Sequence, residues 1–298
     1  MDFIETRRAG ARMPVVLRRT ALLAIAAVGL AGTTAATPSA ARFTDGGVVS
    51  VPLRAAGGEP LLFDGLDAGD AHSIGWTEDG ELFAWGSNAD GQLGIGAEPD
   101  HLPVPTPVEL PDGAVVVDAS AGPDTTIALT QDGEVYTWGS SQAGDTPVPQ
   151  RVAVEGLSGN EWVRSVHAGG QFYLALTSRG RLFSWGSDLD GRLGRPTHAT
   201  PAEVPGRVPL PTGLSTVYGA SAGRSHIAVV LGDGVLLRGQ DVDGGQDGVM
   251  VTGIEGRAYE VAAGDRVTLV RTTEGRVFLA EGRQAVAVLS SAPAGSGR

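Results

Sequence analysis

The chain has 298 residues, a formal charge of −12, 45 glycines and no cysteine. The missing cysteine excludes disulfides, thiolate metal sites, a cysteine nucleophile and a lipid-modified cysteine. All 22 basic residues are arginine and none cluster beyond residue 19, so the positive surface that a phosphate backbone requires is absent and nucleic acid is not an expected partner.

The first predicted element is an address. In residues 13–41, Arg18 and Arg19 precede an apolar run from Ala21 to about Gly32, and small residues follow. Charged start, short apolar core and small-residue cleavage zone describe a secretory signal, with cleavage after Ala40 or Ala41. The apolar run is about 12 residues against the ~20 that span a bilayer, so no membrane attachment is expected after cleavage. Met13 is an alternative start, and the Arg18-Arg19 pair hints at the twin-arginine route. The expectation is a secreted or otherwise extracytoplasmic bacterial protein whose mature part carries 17 arginines against 32 acids, a charge of −15.

Residues 42–62 read as a lead-in that contains the strand-like stretch VVSVPLR (48–54). From residue 63 to 290 one phrase recurs: TEDGELFAWGS (77–87), TQDGEVYTWGS (130–140), TSRGRLFSWGS (177–187), LGDGVLLRGQ (231–240) and TTEGRVFLAEG (273–282). An AG pair precedes each copy, and its glycines are Gly69, Gly122, Gly169, Gly223 and Gly264. Two markers that keep step through five units of about 50 residues indicate a repeat architecture. Residues 291–298 read as a disordered tail.

Each unit reads as short antiparallel strands. An apolar run such as TTIALT leads into a turn such as QDG, whose glycine suits the positive-φ position of a hairpin loop. In EVYTW, Val135 and Thr137 point one way and Tyr136 and Trp138 the other, so this strand is expected to lie between neighbours on both faces. Proline-rich links such as HLPVPTPVEL can hold an outer edge strand. A single four-stranded sheet cannot bury both faces, but radial stacking does so, and repeats of this length predict an all-β propeller. The tryptophans Trp85, Trp138 and Trp185 and the following Gly86, Gly139 and Gly186 are expected to be structural repeat positions.

These residues resemble the regulator of chromosome condensation family of propeller repeats. The first unit follows that pattern from Gly69 through His72, Ser73, Trp85, Gly86 and Asn88 to GQLG (91–94), and the third at LFSWGSDLDGRLG. The second loses its tail to SQAGDTP, and Arg238 and Ala280 replace tryptophan in the fourth and fifth. The resemblance implies a propeller of usually seven blades, of which five are visible: a five-bladed ring, a partial ring completed by another chain, or a shortened copy. VVSVPLR and QAVAVLSS (284–291) are candidates to close the ring. The founding member's nucleotide exchange is not carried over to an acidic chain without matching loops.

Catalytic and metal signals are weak. His72 and His226 occupy a repeat position that also takes Thr125, Phe172 and Val267, which marks a structural role. His101, His167 and His198 have no acids at ligand spacing. NADG (88–91), DLDG (188–191) and DVDGGQDG (241–248) look like pieces of calcium loops, but turn formation accounts for them. Phosphate loops are absent. No catalytic residue, metal or cofactor is expected. Loops 95–110, 141–151, 188–207 and 240–253 should carry the binding residues, with Asp100, His101, Arg192, Arg195, His198 and Asp241 as exposed candidates. The expected function is binding of a protein or surface polymer, with a basic or cation-rich partner favoured by the acidic surface. A propeller lyase or glycosidase, with His167 and His198 beside an acid, and a secreted enzyme inhibitor are the alternatives.

Overall fold

The computed structural model describes residues 61–289, apart from 142–143, 198–201, 212, 214–215, 233 and 240–247. The signal segment, the 48–54 stretch and the C-terminal tail lie outside the described residues. Each repeat folds into one four-stranded antiparallel sheet with its strands in sequence order. Blade 1 is β1 (Gly65–Ala68), β2 (His72–Trp76), β3 (Leu82–Ser87) and β4 (His101–Val108). Blade 2 is β5 (Val116–Ala121), β6 (Thr125–Thr130), β7 (Val135–Gly139) and β8 (Thr146–Val152). Blade 3 is β9 (Val163–Ala168), β10 (Phe172–Thr177), β11 (Leu182–Gly186) and β12 (Gly206–Arg207). Blade 4 is β13 (Gly219–Ala222), β14 (His226–Leu231), β15 (Gly234–Gly239) and β16 (Val249–Met250). Blade 5 is β17 (Ala258–Ala263), β18 (Thr268–Thr272), β19 (Val277–Glu281) and β20 (Gln284–Leu289).

The first strands of neighbouring blades touch one another, so β1, β5, β9, β13 and β17 are innermost and line a common axis. The proline-bearing β4 and β8 are outermost, where a missing N–H costs no ladder bond. Alternation along the strands divides each sheet between two seams. Tyr136 and Trp138 join Ile74, Leu82 and Ala84 of blade 1, while Val135 joins Val166, Tyr173 and Trp185 of blade 3. Two further clusters fill the seams between blades 3 and 4 and between blades 4 and 5. Trp138 and Trp185 are 1% and 3% exposed, and each such ring contributes on the order of 3 kcal/mol by burial.

The AG glycines are held by close approach rather than by turning. A Cβ at Gly122 would stand 2.5 Å from the Gly169 carbonyl oxygen, and one at Gly169 would stand 2.7 Å from that of Gly223. Gly69 and Gly223 stand in the same way against Gly122 and Gly264. Gly264 meets only its own blade. Among the described residues four core clusters fill the seams between consecutive blades, and none joins blade 5 to blade 1. Of the candidate closing stretch 284–291, residues 284–289 form β20, which pairs with β19 as the fourth strand of blade 5, and the other candidate, 48–54, lies outside the described residues.

The two ends of the arc differ. On blade 1, Phe63 from the lead-in packs edge-on to Phe83 and stacks on Trp85, with ring centroids 5.8 and 5.9 Å apart. Trp85 is accordingly half-buried, at a seam position with no preceding blade among the described residues. On blade 5 the outer face mixes Leu269 and Leu279 with an Arg271–Glu260 ion pair of 2.8 Å.

Candidate functional site

In blade 1, His72 pairs with Gly86, which puts the AG turn before β2 and the loop after β3 at the same end of the sheet. The pairs Thr125–Gly139, Phe172–Gly186 and His226–Gly239 repeat this in blades 2, 3 and 4. One face of the arc therefore carries the AG turns around the axis and the long third-to-fourth-strand loops at the rim. The hairpin turns and the links between blades lie on the opposite face.

Glycine after the tryptophan shapes this end. Gly139 has φ of +96° and sits against the Asp124 carbonyl, so both conformation and space exclude a side chain. The loop after blade 1 is held from within. Buried Asn88 donates to the carbonyls of Gly96 and Pro99 at 2.9 and 3.0 Å and accepts from Leu93 N at 3.1 Å. The Gln92 carbonyl then accepts from Thr126 Oγ1 at 2.7 Å and Trp138 Nε1 at 2.9 Å, tying that loop to blade 2. In blade 4, Arg238 takes the tryptophan's place and gives Nη1 to the carbonyls of Gly194 and Pro209 at 2.8 and 2.5 Å.

The recurrent histidine is a latch between blades. Thr126 spends its hydroxyl proton on Gln92, so His72 Nε2 donates to Thr126 Oγ1 at 3.0 Å, and Nδ1 carries no proton. Burial holds the His72 pKa down at about 4, and the ring is neutral. His226 stands 2.8 Å from Thr268 of blade 5 in the same way. Thr125 bonds instead to the Gly169 carbonyl at 2.8 Å. His167 lies 3.5 Å from Ser165. Among the described residues, no group of three or more histidines and acids is placed to hold a metal ion.

Around the axis the AG turns enclose a cavity of about 410 Å³, lined by residues that include Pro123, Asp124, Gln171, Arg224, Asp265 and Arg266. Four blades contribute to it. Arg224 forms an ion pair with Asp70 of blade 1 and lies 3.4 Å from Asp265 of blade 5. Asp124 has a raised pKa, first from partial burial and then from the nearby charges of Asp90 and Asp70. Gln171 holds φ of +63° and donates Nε2 to Ser140 Oγ at 3.0 Å. The site is a mixed-charge mouth in which Asp124 and Asp265 face Arg192, Arg224 and Arg266, and Arg224 also pairs with Asp70 beside it.

The candidates read from sequence fall apart spatially. Asp100 and His101 are exposed at the start of outermost β4. Arg192 and Arg195, expected on the surface, are 8% and 2% exposed, which corrects that reading. Arg192 lies in the wall of the mouth and binds the carbonyls of Gly170 and Leu189 at 3.0 and 2.9 Å. Arg195 binds the carbonyls of Ser184 and Val204 at 3.1 and 2.9 Å, and burial lowers its pKa. Arginine's several N–H groups let one buried side chain serve more than one backbone carbonyl, in a loop or, for Ser184, at the side of β11. His198 and Asp241, and the possible calcium loop around Asp241, lie outside the described residues. Asp70, Asp124, Arg224 and Asp265 were missed. Their signal was the variable pair of positions between each AG and the histidine position, where charge recurs.

The repeat called "Regulator of chromosome condensation (RCC1)" matches at residues 79–129 and 179–230, and in a second form at 64–92, 116–145 and 163–192, together half of the chain. The human protein "Probable E3 ubiquitin-protein ligase HERC6" is 30% identical over 220 residues, which are 69% of this chain and 21% of that protein. The chain thus spans about a fifth of that relative's length. The crystal structure of human WBSCR16 superposes with a TM-score of 0.65 at 22% identity, covering 76% of this chain and 66% of that one. Prp20p from Saccharomyces cerevisiae superposes with a TM-score of 0.61 at 20% identity, covering 72% and 56%.

Proposed function

The chain belongs to the regulator of chromosome condensation repeat family, and from that membership we propose that it is an exported, non-catalytic scaffold that binds another protein on its loop face. One feature carries the reading: the 410 Å³ mouth on the axis, where turns of four blades converge and Asp124 and Asp265 face Arg192, Arg224 and Arg266. Such a mouth suits polar and charged side chains of a partner, with the rim loops supplying further contacts. Prp20p, of the same fold, binds Gsp1p and histones. Support for export comes from the signal-like residues 13–41. Engagement of Asp70 and Asp265 by Arg224 favours binding over chemistry that needs a free pair of carboxylates.

The test is capture from extracts of the producing organism with the native chain and with Asp124→Arg. A protein partner retained by the first and lost by the second, and photo-crosslinked from position 265, supports the reading. Equal retention by both, or turnover of a polysaccharide by the purified chain, overturns it. Export is tested separately by N-terminal sequencing of the mature protein, with a start near residue 41 expected.

A further inference from the structure

The mouth on the axis is polarised from one side to the other. After the glycine of each AG pair come Asp70-Ala71, Pro123-Asp124, Gly170-Gln171, Arg224-Ser225 and Asp265-Arg266, in blade order. Blades 1 and 2 thus bring only acids to the axis and blade 3 an amide. Blades 4 and 5 bring arginines, with Asp265 among them. Partial burial raises the Asp124 pKa first; Asp90, Asp70 and Asp145 raise it further, and Arg224 only partly opposes them. Asp90 and Asp145 come from the rim loops of blades 1 and 2, so the negative side extends outward from the turns.

Two charges in this wall are unspent. Arg224 is engaged by Asp70 and Asp265, but the Asp124 carboxylate and the Arg266 guanidinium make no ion pair or hydrogen bond among the described residues. One stands on the acidic side and the other on the arginine side, with blades 3 and 4 between them. Such a pair complements a ligand that is neutral overall and carries a cation at one end and an anion at the other. A single amino acid holds both charges on one carbon, whereas about three peptide residues separate them by roughly 10 Å when extended. The 410 Å³ of the mouth falls within the roughly 300–1,000 Å³ of small-ligand sites. Gln171 lies in the same wall and spends its Nε2 on Ser140, which leaves its amide oxygen to accept from a peptide N–H.

We propose that the mouth binds a short free peptide as its zwitterion, with the N-terminal ammonium at Asp124 and the C-terminal carboxylate at Arg266. A guanidinium can hold a carboxylate through two parallel hydrogen bonds, which fixes the direction of the peptide. The inference rests on the mouth being a binding site, as in the function proposed above, but it needs no partner protein.

The experiment titrates the full chain with tri-alanine in a calorimeter, and then with its N-acetylated and C-amidated forms. Saturable binding of the unblocked peptide is expected, weakened about tenfold by either block. Asp124→Asn should weaken the unblocked peptide similarly and abolish the effect of acetylation while keeping that of amidation. Arg266→Gln should do the reverse. Glu78→Gln, at an exposed hairpin on the opposite face, should change nothing. Neither Asp124 nor Arg266 has a partner to lose, and thermal midpoints check that the variants fold. The blocked peptides test the native chain without any substitution. The proposal is overturned if tri-alanine does not saturate, if the doubly blocked peptide binds as well, or if each variant fails to cancel its own block. Peptide binding without capture of a protein overturns only the protein-partner reading, and capture without peptide binding overturns only this one.

Discussion

Trp138 donates its indole N–H to the Gln92 carbonyl 2.9 Å away, so a side chain of blade 2 bonds to the loop that completes blade 1. Trp185, at the same position in blade 3, has no acceptor for its N–H among the described residues. The second repeat reads SQAGDTP where the first reads NADGQLG, and the acceptor went with the loop. Trp138→Phe and Trp185→Phe remove similar ring area, but only the first removes a hydrogen bond. Urea unfolding should show Trp138→Phe to be the more destabilising by about 1 kcal/mol. Equal losses would refute the pairing.

Arg238 is 4% exposed and supplies two carbonyls of blade 3 that would otherwise lack a donor. Arg238→Met keeps much of the stem but leaves those oxygens buried and unpaired. A loss of roughly 2–3 kcal/mol is expected in the same unfolding measurement. A neutral or stabilising effect would show that the bonds contribute nothing net.

His72 makes stability depend on pH with a definite sign. Its folded pKa, about 4, lies below the ordinary 6.5, so between these values the unfolded chain binds a proton that the folded chain refuses. This contribution is fully present above pH 6.5 and is lost as pH falls towards 4, by a total of roughly 3 kcal/mol. The measurement is unfolding free energy at successive pH values, with His72→Asn expected to flatten that slope. An unchanged slope in the variant would remove His72 as its source.

The end of the arc at blade 5 separates two chemically identical substitutions. Gly122→Ala drives a methyl group to within 2.5 Å of the Gly169 carbonyl and should destabilise by more than about 2 kcal/mol. Gly264→Ala meets only its own Val267 oxygen at 3.4 Å, without a positive φ, and should cost less than about 1 kcal/mol. Similar losses at both positions would mean that another blade covers Gly264 in solution.

Much of this architecture was legible in the chain because the repeat writes each strand five times. Alternation in EVYTW separated Tyr136 and Trp138 from Val135, and the two seams receive them as that pattern requires. The turn glycine of QDG takes positive φ, with Gly133 at +82°. The candidate site was not legible in the same way. Arg192 and Arg195 sit in a polar loop and read as exposed, yet the carbonyls of Gly170 and of Ser184 in β11 draw both guanidinium groups inward.

Local spacing alone determined the number of sheets, the order of their strands and the face of each aromatic, because strand periodicity is a property of neighbouring residues. Only the tertiary structure decided which glycines meet across the seams, which carboxylates share Arg224, and which residues, such as Val117, a β-bulge turns outward. Those outcomes depend on atoms from three or four blades meeting at the axis, residues more than 150 positions apart in the case of Asp70 and Arg224, and no local pattern encodes a distance across that axis.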